Sequence, residues 1–232
     1  MTWNILGSRH PEVSEIAAVI REQNPDVVTL QETQRAQARR LAKDLGWHFA
    51  WARKHYPLTP LLWWRAEGIG ILSPWAISSQ MRTSISPGIS TWVYRHRVLL
   101  AATVTRRDGA LRVFTTHLAS QDTDERLAQA RRVADRVRAD TSPCKILTGD
   151  LNTTGDGDIE VLREFRAAGL FDPGGTVSNP SIAPYQRIDY VLLPAAATAL
   201  SSHTPQGGEL WARLSDHLPV LVEFVVAGEP DR

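Results

Sequence analysis

The stretch VLLAATVTRRDGALRVFTTH, residues 98–117, decides the fold class. Two runs rich in apolar and β-branched residues, Val98–Thr105 and Ala110–Thr116, flank the pair Asp108-Gly109. An Asp-Gly pair between two such runs is a strong signal for a tight β-hairpin turn. The stretch therefore predicts two antiparallel strands, and the second of them ends at His117.

Helices and buried strands alternate on both sides of this hairpin. Helical patterns run from Val13 to a stop at Asn24-Pro25, and over Thr33–Leu45, Asp124–Ala139 and Ile159–Ala168. Short apolar runs predict further strands at Thr2–Leu6, Asp26–Gln31, Gly68–Leu72, Lys145–Thr148, Ile188–Leu193 and Leu218–Val226. Alternating strands and helices favour some parallel pairing, which the hairpin mixes with antiparallel pairing. We therefore predict an α/β (α+β) fold with two mixed sheets packed face to face and helices outside.

Length and composition predict a single domain over residues 1–232. The chain is 43% hydrophobic, which supplies enough side chains for a core. Its net charge of +1 lacks the basic surplus that is typical of dedicated duplex-binding proteins. Cys144 is the only cysteine, which excludes an intrachain disulfide, and we expect a monomer.

The sequence leaves the localisation unknown. No apolar stretch reaches the roughly 18 residues that suggest a membrane-spanning helix, and no signal peptide is evident. The protein would be cytoplasmic, or secreted if an upstream segment has been removed.

Polar side chains recur where the predicted strands begin or end. These residues are Asn4, Glu32, His117, Asp150, Asn152, Asp189, Asp216 and His217. A single acid after a strand is usually a turn residue or a helix cap, and a lone histidine is usually a core residue. So many polar residues at six strand ends favour one shared site instead, because converging strand ends are where α/β sheets build ligand sites.

The residue types at these ends favour metal-dependent phosphate chemistry. Carboxylate and amide oxygens are the ligands preferred by Mg²⁺, Mn²⁺ and Ca²⁺. Two histidines beside them can bind a phosphoryl oxygen or protonate a leaving group. The chain has no cysteine cluster for zinc, no glycine-rich phosphate loop with a following lysine, and no Gly-x-Ser-x-Gly elbow.

Taken in order along the chain, the motifs resemble the endonuclease/exonuclease/phosphatase superfamily of deoxyribonuclease-I-like phosphohydrolases. They are TWN (2–4), LQE (30–32), GIGILS (68–73), THL (116–118), GDLN (149–152), IDY (188–190) and SDHLP (215–219). Members include pancreatic-type deoxyribonucleases, abasic-site endonucleases, neutral sphingomyelinases and inositol-polyphosphate 5-phosphatases. The resemblance implies a four-layer sandwich of two β-sheets flanked by helices.

The resemblance also implies roles for the residues at the strand ends. Glu32 would be the principal ligand of Mg²⁺ or Mn²⁺, with Ca²⁺ possible, and Asn4 and Asp216 would complete the metal site. Asp150 would orient or deprotonate the attacking water. The remaining assignments are Asn152 on a phosphate oxygen, Tyr190 on the substrate, and His217, positioned by Asp189, on the pentacovalent phosphoryl group.

His117 indicates which branches of the superfamily the chain resembles most. The deoxyribonuclease and sphingomyelinase branches resemble this chain in having a histidine at that point, where abasic-site endonucleases have an amide. Glu67 resembles the acid that pairs with this histidine. Arg97 resembles a phosphate-contacting arginine, and Arg95 is a nearby competitor for the same role.

The substrate stays open between alternatives. Aromatic and basic residues cluster at Trp47, Trp51, Arg53, Lys54, His55, Tyr56, Trp63, Trp64 and Arg65, followed by Trp75, Trp92 and Tyr94. They form either a rim for bases, a sugar or a lipid headgroup, or ordinary core packing with scattered surface cations.

Three functions follow from these alternatives. The first is a phosphodiesterase or nuclease acting on nucleic acid. The second is a hydrolase of a smaller phosphoester, such as a phospholipid headgroup (sphingomyelinase-like) or a sugar or inositol phosphate. The third is a non-catalytic binding protein, which would require a lost key residue, and none is missing.

Overall fold

In the computed structural model, which describes residues 1–54, 65–86, 96–107, 109–154 and 159–226, two mixed β-sheets pack face to face. The strands are β1 (Thr2–Asn4), β2 (Val28–Gln34), β3 (His48–Arg53), β4 (Glu67–Ser73), β5 (Ala76–Ser84), β6 (Val98–Thr105), β7 (Ala110–His117), β8 (Lys145–Asp150), β9 (Leu170–Phe171), β10 (Asp189–Pro194), β11 (Ala197–His203) and β12 (Leu221–Val226). The α-helices are α1 (Val13–Gln23), α2 (Arg35–Leu45), α3 (Thr123–Ala139), α4 (Ile159–Ala167) and α5 (Glu209–Ala212).

Both large sheets combine parallel and antiparallel pairs. The first has the strand order β1-β2-β4-β3 and the second has the order β5-β6-β7-β8-β10-β9, while β11 and β12 form a separate ribbon. Strands β1 and β2 are parallel, as are β7 and β8, and the other strand pairs of the described residues are antiparallel. The predicted hairpin is the β6–β7 pair, although Asp108 in its turn lies outside the described residues.

Side-chain alternation along the strands separates the layers. On β6, Leu100 and Ala102 contribute to the core between the two sheets, whereas Leu99 and Ala101 face the core under α3 and α4. On the other side, α1 and α2 cover the first sheet around Trp3 and Leu30. The order of layers is therefore helices, sheet, sheet, helices, which confirms the predicted α/β (α+β) sandwich.

Several predicted boundaries were wrong by one to three residues; β1, for example, ends at Asn4 rather than Leu6, and β2 begins at Val28 rather than Asp26. Helix α2 begins at Arg35 rather than Thr33, because β2 continues to Gln34 and the side chains of Gln34 and Gln37 form a reciprocal capping box there. The last strand begins at Leu221 rather than Leu218. Residue Val220 instead makes an isolated antiparallel bridge with Thr2, which attaches this segment to the edge of the first sheet.

Four strands were not predicted from the sequence: β3, β5, β9 and β11. In β5 most side chains are exposed, so its apolar pattern is weak. Pairing with β6 supplies its hydrogen bonds all the same. Among the described helices, none is long and apolar enough to span a membrane.

Candidate active site

The polar strand ends converge at one end of the two sheets. In the second sheet, Asp150 at the end of β8 lies directly between His117 of β7 and Asp189 of β10 in the strand register. Gly149 permits this arrangement, because its φ is +140° and any Cβ there would collide with the carbonyl oxygen of Thr116 on β7. Three candidate residues are therefore neighbours by strand pairing alone.

Asn4 connects the first sheet to this cluster. Its side-chain amide donates to Oδ2 of Asp150 at 3.1 Å, and its Oδ1 accepts from the backbone N–H of Leu6 at 3.1 Å. Its backbone carbonyl accepts a hydrogen bond from the Ser215 hydroxyl at 2.6 Å. Asn4 thus has a fixed orientation and joins β1, β8 and the Ser215-Asp216-His217 segment.

Asp150 is the centre of the site. Its Oδ1 accepts from the backbone N–H of Asn152 at 3.0 Å, and its Oδ2 lies 3.5 Å from Nε2 of His117 and 3.8 Å from Nε2 of His217. Burial and the nearby charge of Asp189 raise the pKa of Asp150 to about 7. A carboxylate with such a pKa is suited to accept a proton near neutral pH.

His217 forms a buried ion pair with Asp189. The ring Nδ1 donates to Oδ2 of Asp189 at 2.8 Å, and the same oxygen accepts from the Ser178 hydroxyl at 2.6 Å. Burial by itself lowers the pKa of His217, but the charge and hydrogen bond of Asp189 and the charge of Asp150 raise it to about 10. His217 is therefore a fixed cation, with Nε2 directed towards Asp150.

Glu32 stands on a bulge in β2. The register with β4 shifts between Leu30 and Thr33, and Glu32 has a φ of +51°, in the left-handed region that non-glycine residues rarely adopt. The bulge brings Oε1 of Glu32 to 3.7 Å from Nδ1 of His117. Burial raises the pKa of Glu32, while the charge of Lys54 and a hydrogen bond from Asn4 lower it.

The predicted pairing of Glu67 with His117 was wrong. Oε2 of Glu67 lies 3.5 Å from the Lys54 ammonium, and the carboxylates within 4 Å of His117 among the described residues are Glu32 and Asp150. Glu67 begins β4 opposite the end of β3, and this register places it beside Lys54. Burial and the positive charges of Arg97 and Lys54 hold the pKa of His117 well below its usual value, so this ring is neutral.

Lys54 was predicted only as a member of the aromatic and basic rim, not as a buried residue beside the strand-end cluster. It follows Ala50 and Ala52 at a spacing of two, and all three side chains are buried, Lys54 with only 4% of its surface exposed. This alternation was the signal available in the sequence, because it places Lys54 on the inward face. Arg97, which precedes β6, is also buried, with 6% exposed.

The predicted role of Tyr190 in substrate binding was wrong. The ring is 1% exposed and belongs to the core between the second sheet and its helices. Its hydroxyl donates to the backbone carbonyls of Thr153 and Arg187, at 3.0 and 3.1 Å. Its polar end is thus engaged by the protein backbone rather than directed to the site.

Asn152 and Asp216 flank the cluster and are half-buried. Asn152 has a φ of +50° and donates from its side-chain amide to the Leu118 carbonyl at 3.0 Å. The Asp216 carbonyl accepts from the backbone N–H of Ser181 at 2.7 Å and from the Asn179 amide at 3.0 Å. These bonds hold the side chain of Asn152 and the backbone of Asp216, and the negative charge of Asp216 contributes to the raised pKa of His217.

The aromatic residues divide between packing and residues outside the described ranges. Trp47 packs against the core under α1 and α2, Trp75 packs against the core between the sheets, and Trp51 donates to the Thr33 carbonyl at 3.0 Å. These three tryptophans have packing roles. Of the rim cations that the structure describes, Arg53 is half-buried, Lys54 is buried and Arg65 is exposed. The remaining rim residues lie outside the described residues, as does Arg95: His55, Tyr56, Trp63, Trp64, Trp92 and Tyr94.

Two groupings of side chains could hold a cation. Asp150, Asp189 and His217 bring ligand atoms within 4.8 Å of one another, but Asp189 and His217 already bind each other at 2.8 Å. Glu32, Asn4 and Asp216 offer the oxygen donors that Mg²⁺ and Mn²⁺ prefer. Next to Glu32, the buried Nδ1 of His117 has no hydrogen-bond partner. The first grouping is thus already held together by an internal ion pair, whereas the donors of the second are oxygen atoms.

A family model supports the motif resemblance. Residues 1–217 match the model described as the "Endonuclease/Exonuclease/phosphatase family". A comparison with curated proteins finds no sequence that matches the chain.

Solved structures with the same fold span nearly the whole chain. An endonuclease/exonuclease/phosphatase from Beutenbergia cavernae is 24% identical with a TM-score of 0.78, covering 99% of this chain and 71% of that one. A mannosyl-6-phosphatase from Bacteroides thetaiotaomicron is 16% identical with a TM-score of 0.75, covering 97% and 98%. TDP2 from D. rerio, complexed with a single-strand DNA product, is 22% identical with a TM-score of 0.71, covering 97% of each chain.

Proposed function

We propose that this chain, which belongs to the endonuclease/exonuclease/phosphatase family, is a divalent-metal-dependent phosphodiesterase that acts on nucleic acid. Members of this family are hydrolases that act on phosphoesters. One observation carries the proposal: the buried Asp150 carboxylate accepts from Asn4 and lies within 4 Å of the Nε2 atoms of both His117 and His217.

The chemistry we propose is in-line attack of water on phosphorus without a covalent enzyme intermediate. Asp150 orients the water and accepts its proton, for which its raised pKa is suited. The His217 cation, held by Asp189, stabilises negative charge on the non-bridging oxygens in the transition state. His117, neutral and buried, places a second ring beside the same oxygens, and Asn152 donates to one of them.

Glu32, Asn4 and Asp216 would hold Mg²⁺ or Mn²⁺, with Ca²⁺ a weaker candidate. When bound, the cation supplies positive charge that neutralises the developing phosphoryl charge. Glu32 is the residue on which the fit depends most. The bulge directs the Glu32 carboxylate into the site, and it forces the backbone of Glu32 into the left-handed region. Backbone strain of this kind often marks functional positions.

Removal of the metal tests this part of the proposal. We expect EDTA to abolish turnover and Mg²⁺ or Mn²⁺ to restore it. We expect Glu32→Gln to raise the metal concentration for half-maximal activity about 10- to 100-fold, as losing a supporting ligand contact typically does. The matched control is Glu22→Gln on the exposed face of α1, which should behave as wild type. Turnover that resists EDTA would contradict the metal role.

A second candidate function is hydrolysis of a smaller phosphoester, such as a phospholipid headgroup or a sugar or inositol phosphate. The buried cations Lys54 and Arg97 favour it. Two buried positive charges suit a compact phosphate group of a small substrate better than the extended backbone of a nucleic acid. The similarity to a mannosyl-6-phosphatase agrees with it at the level of the fold.

A substrate panel separates the two functions. Wild-type protein with Mg²⁺ or Mn²⁺ is incubated with supercoiled plasmid, RNA, sphingomyelin, bis(p-nitrophenyl) phosphate and p-nitrophenyl phosphate. We expect nicking of the plasmid and release of nitrophenol from the diester. Turnover of the aryl phosphates with intact plasmid and RNA would favour the small-ester function instead.

A further inference from the structure

Lys54 and Arg97 are two buried cations with more hydrogen-bond donors than acceptors around them. The Lys54 ammonium carries three N–H groups, and among the described residues its one polar contact is with Glu67 at 3.5 Å. In the described part of the chain, Nε and Nη1 of Arg97 are buried without any partner. Buried donors are normally satisfied, so these unpaired groups require an explanation.

The two cations lie on the Glu32 side of the site. Lys54 is fixed by the β3–β4 pairing, where its backbone N–H donates to the Glu67 carbonyl at 2.9 Å. Arg97 is fixed by its own backbone N–H, which donates to the Ser86 hydroxyl at 2.7 Å. Arg97 directly precedes β6, where Leu99 pairs with Thr116, the neighbour of His117, and Lys54 contacts Glu67, which pairs with Gln34 of β2. Both cations therefore lie near the strand ends that carry His117 and Glu32. Burial raises the pKa of Glu32 and lowers that of His117, and the charges of both cations lower both pKa values.

Internal pairing does not account for this arrangement. Glu67 neutralises one cation through a single contact of 3.5 Å, longer than the roughly 2.7–2.9 Å that is usual for a charge-assisted hydrogen bond. Burial lowers the pKa of both Lys54 and Arg97, and the positive charge of Arg97 lowers the pKa of Lys54 further, so holding both cations inside the protein is unfavourable. A ligand with several anionic oxygens would satisfy the unpaired donors and offset the repulsion.

We propose, on the basis of the phosphoester-hydrolase function above, that Lys54 and Arg97 form a binding site for a terminal phosphate group. A terminal phosphate carries up to two negative charges and three non-bridging oxygens, which match two cations with at least three free N–H donors. An internal phosphodiester has one charge and two such oxygens. The preferred substrate is therefore one with a phosphate at its end. This phosphate lies next to the bond cleaved if the protein is the phosphodiesterase proposed above, and it is the group cleaved if the protein has the second candidate function.

A simpler role for Lys54 is to neutralise Glu67, and one pair of variants separates the two roles. Glu67→Gln keeps Lys54, whereas the double variant Glu67→Gln with Lys54→Met removes both charges and leaves no buried carboxylate unpaired. Binding of inorganic phosphate is measured by calorimetry at pH 8 with Mg²⁺ present. Lys43→Met, on the exposed face of α2, makes the same change of charge and serves as the control.

We expect the double variant to bind phosphate about 10- to 100-fold more weakly than Glu67→Gln, the usual range for a charge-assisted hydrogen bond. Lys54→Arg should retain most of the affinity, and Lys43→Met all of it. Equal phosphate affinity in Glu67→Gln and the double variant, with equal melting temperatures, would overturn the proposal. This measurement does not depend on turnover, so the proposal can be judged even if the wild-type enzyme hydrolyses none of the esters tested.

Kinetic measurements distinguish the two positions of the terminal phosphate. If it is the group cleaved, p-nitrophenyl phosphate is a substrate and Lys54→Met lowers its kcat/KM about 10- to 100-fold more than Lys43→Met does. If it lies next to the bond cleaved, a thymidine dinucleotide with a 5′ or 3′ terminal phosphate is cleaved faster than one without, and Lys54→Met removes that advantage. An equal effect of Lys54→Met on all these substrates would contradict the proposed site.

Discussion

Replacing Asp150 with asparagine is expected to lower kcat/KM for a phosphodiester by about 10³-fold or more, near the upper range for removal of a general base. Asparagine keeps the shape of the side chain and can still accept one of the two hydrogen bonds made by Asn4 and Asn152. It cannot accept a proton from water. The loss should therefore appear in kcat, with little change in KM.

The folded state should survive this change because two effects oppose each other. The amide N–H₂ of the new asparagine faces an N–H donor from which the carboxylate had accepted a hydrogen bond. The loss of that hydrogen bond destabilises the folded state by about 1 kcal/mol. Against this, burial and Asp189 raise the pKa of Asp150 to about 7, so at pH 8 the ionised carboxylate destabilises the fold, and asparagine removes that charge. We expect the melting temperature to stay within about 4 °C of wild type, the shift that about 1 kcal/mol produces in a chain of this size.

Asp124→Asn on the exposed first turn of α3 makes the same chemical change away from the site and should leave activity unaltered. Full activity in Asp150→Asn would sink the assignment of Asp150 as the base. A large fall in the melting temperature of Asp150→Asn would show that the substitution acts on folding instead.

The fold was largely predictable because its signals are local. The Asp-Gly turn, the helical spacing in α1 and α3, and the apolar runs of β6, β7 and β8 each depend on residues close in sequence. Strand β5 gave no such signal, because its side chains are mostly exposed and its place in the sheet is set by β6. Tertiary pairing overrides a weak local pattern there.

The site residues at strand ends could be predicted from the sequence. Those whose place in the site depends on the direction of the side chain could not. His117, Asp150 and Asp189 end or begin adjacent strands, so the sheet register alone brings them together. The partner of Glu67 depended on the pairing of β3 with β4, and β3 had not been predicted. The buried position of Lys54 was missed for the same reason, because its inward direction is defined only once β3 is a strand.

Glu32 shows a different limit. Its position after an apolar run predicted a polar strand end, but the structure places it within β2 on a bulge with a φ of +51°. No propensity favours a glutamate in that conformation. The surrounding sheet imposes it, and the result is a carboxylate that faces His117 from the opposite sheet.

Replacing His217 with alanine is expected to have an effect as large as Asp150→Asn, about 10³-fold or more in kcat/KM, since it removes a preorganised cation from the transition state. The change also leaves Asp189 buried with only Ser178 as a partner, and an uncompensated buried charge destabilises a protein by about 3–5 kcal/mol. Activity loss and unfolding would then be confounded in the single variant.

The double variant His217→Ala with Asp189→Asn separates them. It removes the unpaired charge, so its melting temperature should lie above that of His217→Ala. Its activity should be no lower, because residues that act as a unit are not additive. His203→Ala, an exposed histidine on β11, controls for the substitution itself. If the double variant regained wild-type turnover together with stability, His217 would have only a structural role, and the charge that stabilises the phosphoryl group would have to come from elsewhere in the site.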